Sequence, residues 1–301
     1  MKYRVTHQTI YNYNELASLC HNEAHLIPRD DTTQKCLSHH LRIEPLPAIQ
    51  QNYQDFFGNW VTYFSIQIPH QVLTVTASSE VEIQHSGLIP FLTDSPAWEQ
   101  VRDQLQNSLE PEVLAAREFV LDSPFITTNN LLQAYAVPSF TPQRPILDAA
   151  YHLMNRIYAE FTYDPHFTTI VTPLTEVLEH RRGVCQDFAH LMIGCLRAMG
   201  LAARYVSGYL ETLPPPGQEK LQGSDASHAW LMVYVPHYGW VDFDPTNNQI
   251  PTCQHITTAW GRDYSDVTPL KGIIFGGGEH TLTVAVDVER LITESVKLAM
   301  T

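Results

Sequence analysis

From Met1 to about Ile83, apolar and polar positions alternate with period two. Tyr3, Val5 and His7 alternate with Arg4 and Thr6, and Leu41-Arg42-Ile43-Glu44 repeats the pattern. Trp60–Ile68 and Val72–Ile83 are rich in β-branched and aromatic residues, with Asn and Asp clusters between the runs. This pattern predicts a small antiparallel β domain over residues 1–90. The period then changes. Trp98, Val101 and Leu105 fall at helical spacing, and a second helix is expected to start near Pro111. Breaks follow at Pro124, Pro138, Pro142 and Pro145, so 91–145 reads as a helical linker region.

Residues 146–301 read as a compact α+β core with C-terminal strands. Ile146–Glu160 predicts one helix. Thr172-Pro173 predicts the start of a short one, with Thr172 as N-cap, Pro173 at the first helical position and Glu176 in the first turn. His180, Arg181 and Arg182 then suit its C-terminus, and Gly183 closes it. The clearest helix follows: Cys185, Phe188, Leu191, Met192, Cys195, Leu196 and Met199 keep three-and-four spacing, and Gly200 is a natural stop. Strands are expected at Ala203–Leu210, Ser227–Val235 and Trp240–Asp244. The turn-rich segment 211–226 between the first two is a surface loop that could flank a site, and a candidate lid. Thr281–Val288 alternates as a strand after the Gly276-Gly277-Gly278 turn, which lacks the helix start of a phosphate-binding loop.

Composition narrows the function class. The formal net charge of −14 is a poor match for nucleic acid, which needs a lysine and arginine footprint. No run approaches the roughly 18 apolar residues of a membrane span, and MKYRVTHQTIYNYN has no apolar signal core. Five cysteines (Cys20, Cys36, Cys185, Cys195 and Cys253), without CxxC spacing, argue against a disulfide framework and a thiolate zinc site. A reducing, cytoplasmic compartment is the expectation. His39-His40 lacks nearby acids at metal spacing, so no metal and no cofactor are expected.

One stretch carries the elements of nucleophilic chemistry. Cys185 opens the central helix, where free N–H groups and the positive end of the dipole favour a thiolate and could hold an oxyanion. Alone, such a cysteine is more often a buried small hydrophobe. His228 begins the strand HAWLMVYV and shares a face with Trp230, Met232 and Tyr234; alone it reads as a structural histidine. Asp244 ends GWVDFD, on one face with Trp240 and Asp242. Parity decides whether the two meet. A three-residue hairpin loop, with Val235 opposite Gly239, places Asp244 opposite Trp230 and makes His228 its diagonal neighbour on the same face. An even loop separates them. Asp242 lies further away, so a structural role is expected for it.

Arg182-Gly183-Val184-Cys185-Gln186-Asp187-Phe188-Ala189-His190 resembles the nucleophile motif of bacterial transglutaminase-like proteins. Leu201–Tyr209 is similar to the strand that follows it, Ser227-His228-Ala229-Trp230 to the histidine motif, and Gly239–Thr246 to the aspartate motif. Tyr3–Tyr13 resembles the opening of the family's N-terminal β domain, Pro28-Arg29 its second strand region, and Gly261–Val267 the segment after the triad. The resemblance implies a papain-like transglutaminase core and a Cys185, His228, Asp244 triad acting on a peptide or protein amide through a thioester. Water as acceptor gives a cysteine peptidase or amidase; a lysine amine gives a transglutaminase. Tyr163 is the candidate oxyanion donor by analogy, with Gln186 a second and Trp230 a candidate for positioning substrate. Asp187 is expected to serve the helix dipole, and His190 and Arg197 to face solvent or neighbouring elements. A catalytically silent peptide-binding module is the competing reading. A redox pair of Cys185 and Cys195 is weak, since ten residues along one helix is about 15 Å, beyond disulfide reach.

Overall fold

The computed structural model describes residues 1–84, 92–212 and 227–291. Within them, thirteen strands and seven α-helices follow in order. The first five strands are β1 (Lys2–Ala24), β2 (Gln34–Glu44), β3 (Ile49–Gln54), β4 (Trp60–Ile66) and β5 (His70–Ile83). Helices α1 (Trp98–Asn107), α2 (Pro111–Arg117), α3 (Asn130–Ala136) and α4 (Ile146–Glu160) come next. Strand β6 (Thr162–Tyr163), helix α5 (Leu174–His180), strand β7 (Arg182–Gly183) and helix α6 (Cys185–Ala198) lead into β8 (Ala203–Leu210), β9 (Ser227–Val235), β10 (Gly239–Phe243) and β11 (His255–Gly261). Helix α7 (Tyr264–Val267) precedes β12 (Leu270–Gly276) and β13 (His280–Leu291).

The chain forms a mixed α+β fold with an N-terminal β domain. The large sheet is built on β1, which is long enough to pair twice along each edge. Its first half lies between β5 and β13, and its second half between β4 and β12. The two C-terminal strands, expected within the 146–301 unit, therefore complete the N-terminal sheet. Their alternating pattern identifies them as strands, but partner choice is a long-range property that periodicity does not encode. Between Asn12 and Ala17 the pairing of β1 is irregular within one continuous strand, and Leu16 is left exposed. Pro28-Arg29 lie ahead of β2 rather than in it. The Arg29 side chain is committed elsewhere, with its guanidinium 3.5 Å from the centre of the Trp260 ring.

The second sheet runs β10-β9-β8-β11, all antiparallel. Helix α6 packs on one face of it. Phe188 to Leu196 are all buried, because the helix has α3, α4 and α5 on its other sides. Ala229, Leu231, Val233 and Val235 point into this core, as their parity predicts. Trp98, Val101 and Leu105 of α1 join it, as their spacing predicts.

Strand β11 is an edge, and the N-terminal domain covers it. Two buried amides each bind one peptide group in both directions. Gln34 donates to the Thr257 carbonyl and accepts from its N–H, both at 2.8 Å. Asn59 does the same for Trp260, at 2.8 and 3.0 Å. Side chains here replace the missing ladder partner, so the edge carries no unpaired peptide at these points. Tyr3, Val5, Val81 and Ile83 pack against Tyr209 and Ile256 beneath these bonds. Arg204 lies between the rings of Trp260 and Trp240, at 3.7 and 4.2 Å, continuing the stack begun by Arg29.

Candidate active site

Helix α5 positions the nucleophile loop, with two departures from expectation. Pro173 is its N-cap, one residue later than predicted for the start, while the Thr172 hydroxyl accepts from the Thr169 N–H at 2.9 Å. Arg181, not glycine, takes the left-handed C-terminal position, at φ 56°. Gly183 is required for a different reason. It sits in β7 beside Tyr163, and a Cβ there would come within 2.7 Å of Asp187 Oδ2. That oxygen is in use. It accepts from the Val184 N–H at 2.8 Å and from the Thr168 hydroxyl at 2.6 Å. Asp187 thus caps the helix that Cys185 opens, which goes beyond a diffuse charge effect. Burial pushes its carboxyl above the usual range, partly offset by these bonds.

Cys185 is the first residue of α6 and half-buried. His228 comes from β9: its ring is hydrogen-bonded to Asp244, and Cys185 is among the groups that raise its affinity for a proton. The hairpin has the odd loop that this requires, with Gly239 opposite Val235 and Phe243 opposite Leu231. Continuing that register one step sets Asp244 opposite Trp230 with His228 its diagonal neighbour, and His228 Nε2 lies 2.8 Å from Asp244 Oδ2. Burial lowers the affinity of His228 for a proton, but Asp244 and Cys185 outweigh it and hold the imidazole well above its ordinary value.

Asp244 is fully buried and accepts five hydrogen bonds. Oδ1 takes the Thr246 and Asn247 N–H groups at 3.0 and 3.2 Å. Oδ2 takes His228, the Asn247 amide at 2.8 Å, and His255 Nε2 at 2.9 Å. Burial alone would raise its pKa, but the bonds from the two histidines and the charge of His228 hold it far below the usual carboxylate range. Donor atoms of His228, Asp244 and His255 lie within 4.8 Å of one another, the spacing of a metal-ligand set. Here Oδ2 lies at hydrogen-bond distance from both imidazoles.

His255 escapes the sequence reading. It begins β11 opposite Leu210 in β8 and belongs to no motif. Its only signal is the face it shares with Thr257, which becomes informative only once the β8–β11 register is known.

The other candidates are placed as follows. Trp230 is 1% exposed. Its ring stacks near that of His228, at 6.0 Å and 25°, and its Nε1 donates to Asp242 at 2.7 Å. Asp242 is thereby a structural anchor. Tyr163 is 55% exposed on β6, not a core aromatic, and the nearby Cys185 and Asp187 add to the burial that raises its hydroxyl pKa. The Gln186 amide reaches the Ile170 carbonyl at 3.5 Å. His190 is buried, and its Nε2 accepts from the Tyr264 N–H at 3.1 Å, which identifies the neutral ring; burial lowers its pKa to about 4. Arg197 is buried too, spending its guanidinium on the carbonyls of Phe119, Ala203 and Arg262 and the Ser123 hydroxyl. A cavity of about 300 Å³ lies between Asp31–Gln34 and β10. His255 and Trp230 line it but Cys185 and His228 do not, so it lies behind the triad. The candidate lid, 211–226, lies outside the described residues from 213 onward.

This fold matches a known class. Residues 133–245 match the transglutaminase-like superfamily, and residues 3–82 the bacterial transglutaminase-like N-terminal region. The chain belongs to this family. An uncharacterised protein of Mycobacterium tuberculosis is 44% identical over 95% of this chain and 92% of its own length. A Pseudomonas aeruginosa protein-glutamine gamma-glutamyltransferase is 32% identical over 107 residues, which are 33% of this chain but 16% of that protein. The crystal structure of a candidate cysteine protease from Cytophaga hutchinsonii superposes with a TM-score of 0.75 at 20% identity, covering 97% of this chain and 91% of the other. Among the described residues, no helix is long and apolar enough to cross a membrane.

Proposed function

We propose that this protein is a thiol-dependent amide acyl-transfer enzyme, with water as its ordinary acceptor. The observation that carries this reading is the 2.8 Å bond from His228 to the buried carboxylate of Asp244, with Cys185 among the groups that raise the proton affinity of the same imidazole. The Cys185 thiolate attacks an amide carbonyl carbon. The C–N bond breaks, and the His228 imidazolium gives its proton to the leaving amine. Asp244 holds the ring in the tautomer and orientation this transfer needs. The resulting thioester is attacked by water, which yields its proton to His228; the acid leaves and the thiolate returns. In this reading N–H groups at the start of α6 and the exposed Tyr163 stabilise the oxyanion.

An amine acceptor would make the same site a transglutaminase. The local similarity to the Pseudomonas glutamyltransferase supports keeping that reading second. Incubation with casein, with and without a fluorescent primary amine, separates them. New amino termini or ammonia without amine incorporation supports hydrolysis. Amine incorporation supports transfer. Neither product, or products that persist in Cys185→Ala, would favour a silent peptide-binding module.

A further inference from the structure

His255 has no part in the mechanism above, yet its ring donates to the same oxygen that orients His228. We infer that His255 is a positioning residue for the Cys185–His228–Asp244 relay, held in place by the N-terminal β domain. The inference rests on the proposed acyl-transfer reading and extends it to a residue outside the matched 133–245 core.

Chemistry sets which form of His255 can act. Asp244 is a pure acceptor when ionised, so the His255 proton must sit on Nε2. Nδ1 is then an acceptor, and it is buried without a partner. Such an orphan is a cost that most buried side chains avoid, and a leucine in its place would not incur it. The charged ring would satisfy Nδ1 no better and would compete with His228 for the carboxylate. Burial, the first cause of the lowered His255 pKa, keeps the ring neutral even against the pull of Asp244, and the His228 charge acts in the same direction. His228 and Asp244 are the titratable groups that face it, across 5.7 Å between ring centroids in one case and a hydrogen bond in the other. A neutral N–H therefore aims Oδ2 without cancelling its charge. The ring also meets Trp230 in a T-shaped contact at 5.0 Å, so one indole packs against both histidines.

The support for His255 comes from the other domain. It is the first residue of the edge strand β11, and Gln34 binds the peptide of Thr257, two residues on, in both directions. The N-terminal domain thus acts on the site through the strand that carries His255.

The test is the pH profile of Cys185 alkylation by iodoacetamide, read by mass spectrometry, in wild type, His255→Leu and His255→Gln. The glutamine amide can replace the lost N–H; leucine cannot. Expected in His255→Leu is an alkylation midpoint moved up toward about 8.5, the value of an ordinary thiol. Labelling at pH 6.5 should slow about tenfold for every pH unit by which that midpoint rises. Labelling at pH 9.5 should stay near wild type, and His255→Gln should recover most of the loss at pH 6.5. A merely structural role would lower thermal stability in both variants without moving the midpoint, and that result overturns the inference. A wild type that itself labels like an ordinary thiol would instead defeat the acyl-transfer reading, so the two failures are distinguishable.

Discussion

The Trp230 indole donates to Asp242 at 2.7 Å, and that bond fixes a ring that stacks near His228 and packs edge-on with His255. A carboxylate two residues short of Asp244 thus works on the site through a tryptophan. Asp242→Leu should leave a buried indole N–H unpaired, at a cost of about 1–3 kcal/mol. The variant should melt lower and alkylate Cys185 more slowly, while Asp242→Asn, which keeps an acceptor, should be milder. Calorimetry and labelling kinetics together check this; equal stability of wild type and Asp242→Leu would contradict it.

Asp242 also predicts a pH dependence of stability. Burial raises its carboxyl to about 6, above the ordinary 3.8, despite the Trp230 bond and the charge of Arg204. The folded state therefore holds this proton more tightly than the unfolded one. The stabilisation is fully present below the ordinary value and is lost as pH rises through about 6. Relative to Asp242→Asn, wild type should lose stability between about pH 4 and about pH 7. Urea titrations of both proteins across that range measure it.

The start of α6 depends on room for the Asp187 side chain. Gly183→Ala would place a Cβ 2.7 Å from Oδ2 and displace the cap on Val184. Loss of such a cap costs about 0.5–2 kcal/mol. Stability should fall by that order, and labelling of Cys185 should slow because the helix terminus beneath the thiol loosens. Asp187→Ala should reproduce both effects in thermal melts and labelling, which tests whether the cap is their common cause.

Gln34 links the domains through two bonds to one buried peptide. Gln34→Leu leaves a donor and an acceptor of Thr257 unpaired, costing about 2–4 kcal/mol. Hydrogen exchange of the Thr257 amide should accelerate well beyond the average of the core, and unchanged protection there would contradict the edge-covering role of this side chain.

Much of the site is legible in the sequence because its signals are local. Helix Ile146–Glu160 and strands Ala203–Leu210 and Ser227–Val235 begin and end where period and turn chemistry place them. The odd hairpin loop follows from requiring Asp244 on the face of His228, and the register agrees. What the sequence hides is long-range. The adoption of β12 and β13 by the N-terminal sheet, the docking of Gln34 and Asn59 on β11, and the approach of His255 to Asp244 each depend on a pairing between distant segments. Gly183 departs from its expected role for a related reason. A glycine after a helix suggests a cap, whereas this one makes space for the side chain of Asp187, four residues on.

The central claim is that Cys185 is activated by His228. The direct measurement is the rate of Cys185 alkylation by iodoacetamide as a function of pH, in wild type and His228→Ala. A raised imidazole pKa means the ring keeps its proton, and so its hold on the thiolate, until pH rises through that raised value. Wild type should therefore label rapidly below pH 7, and His228→Ala should label only as pH approaches about 8.5, the range of an ordinary thiol. Identical profiles for the two proteins, both rising near that pH, would contradict the account.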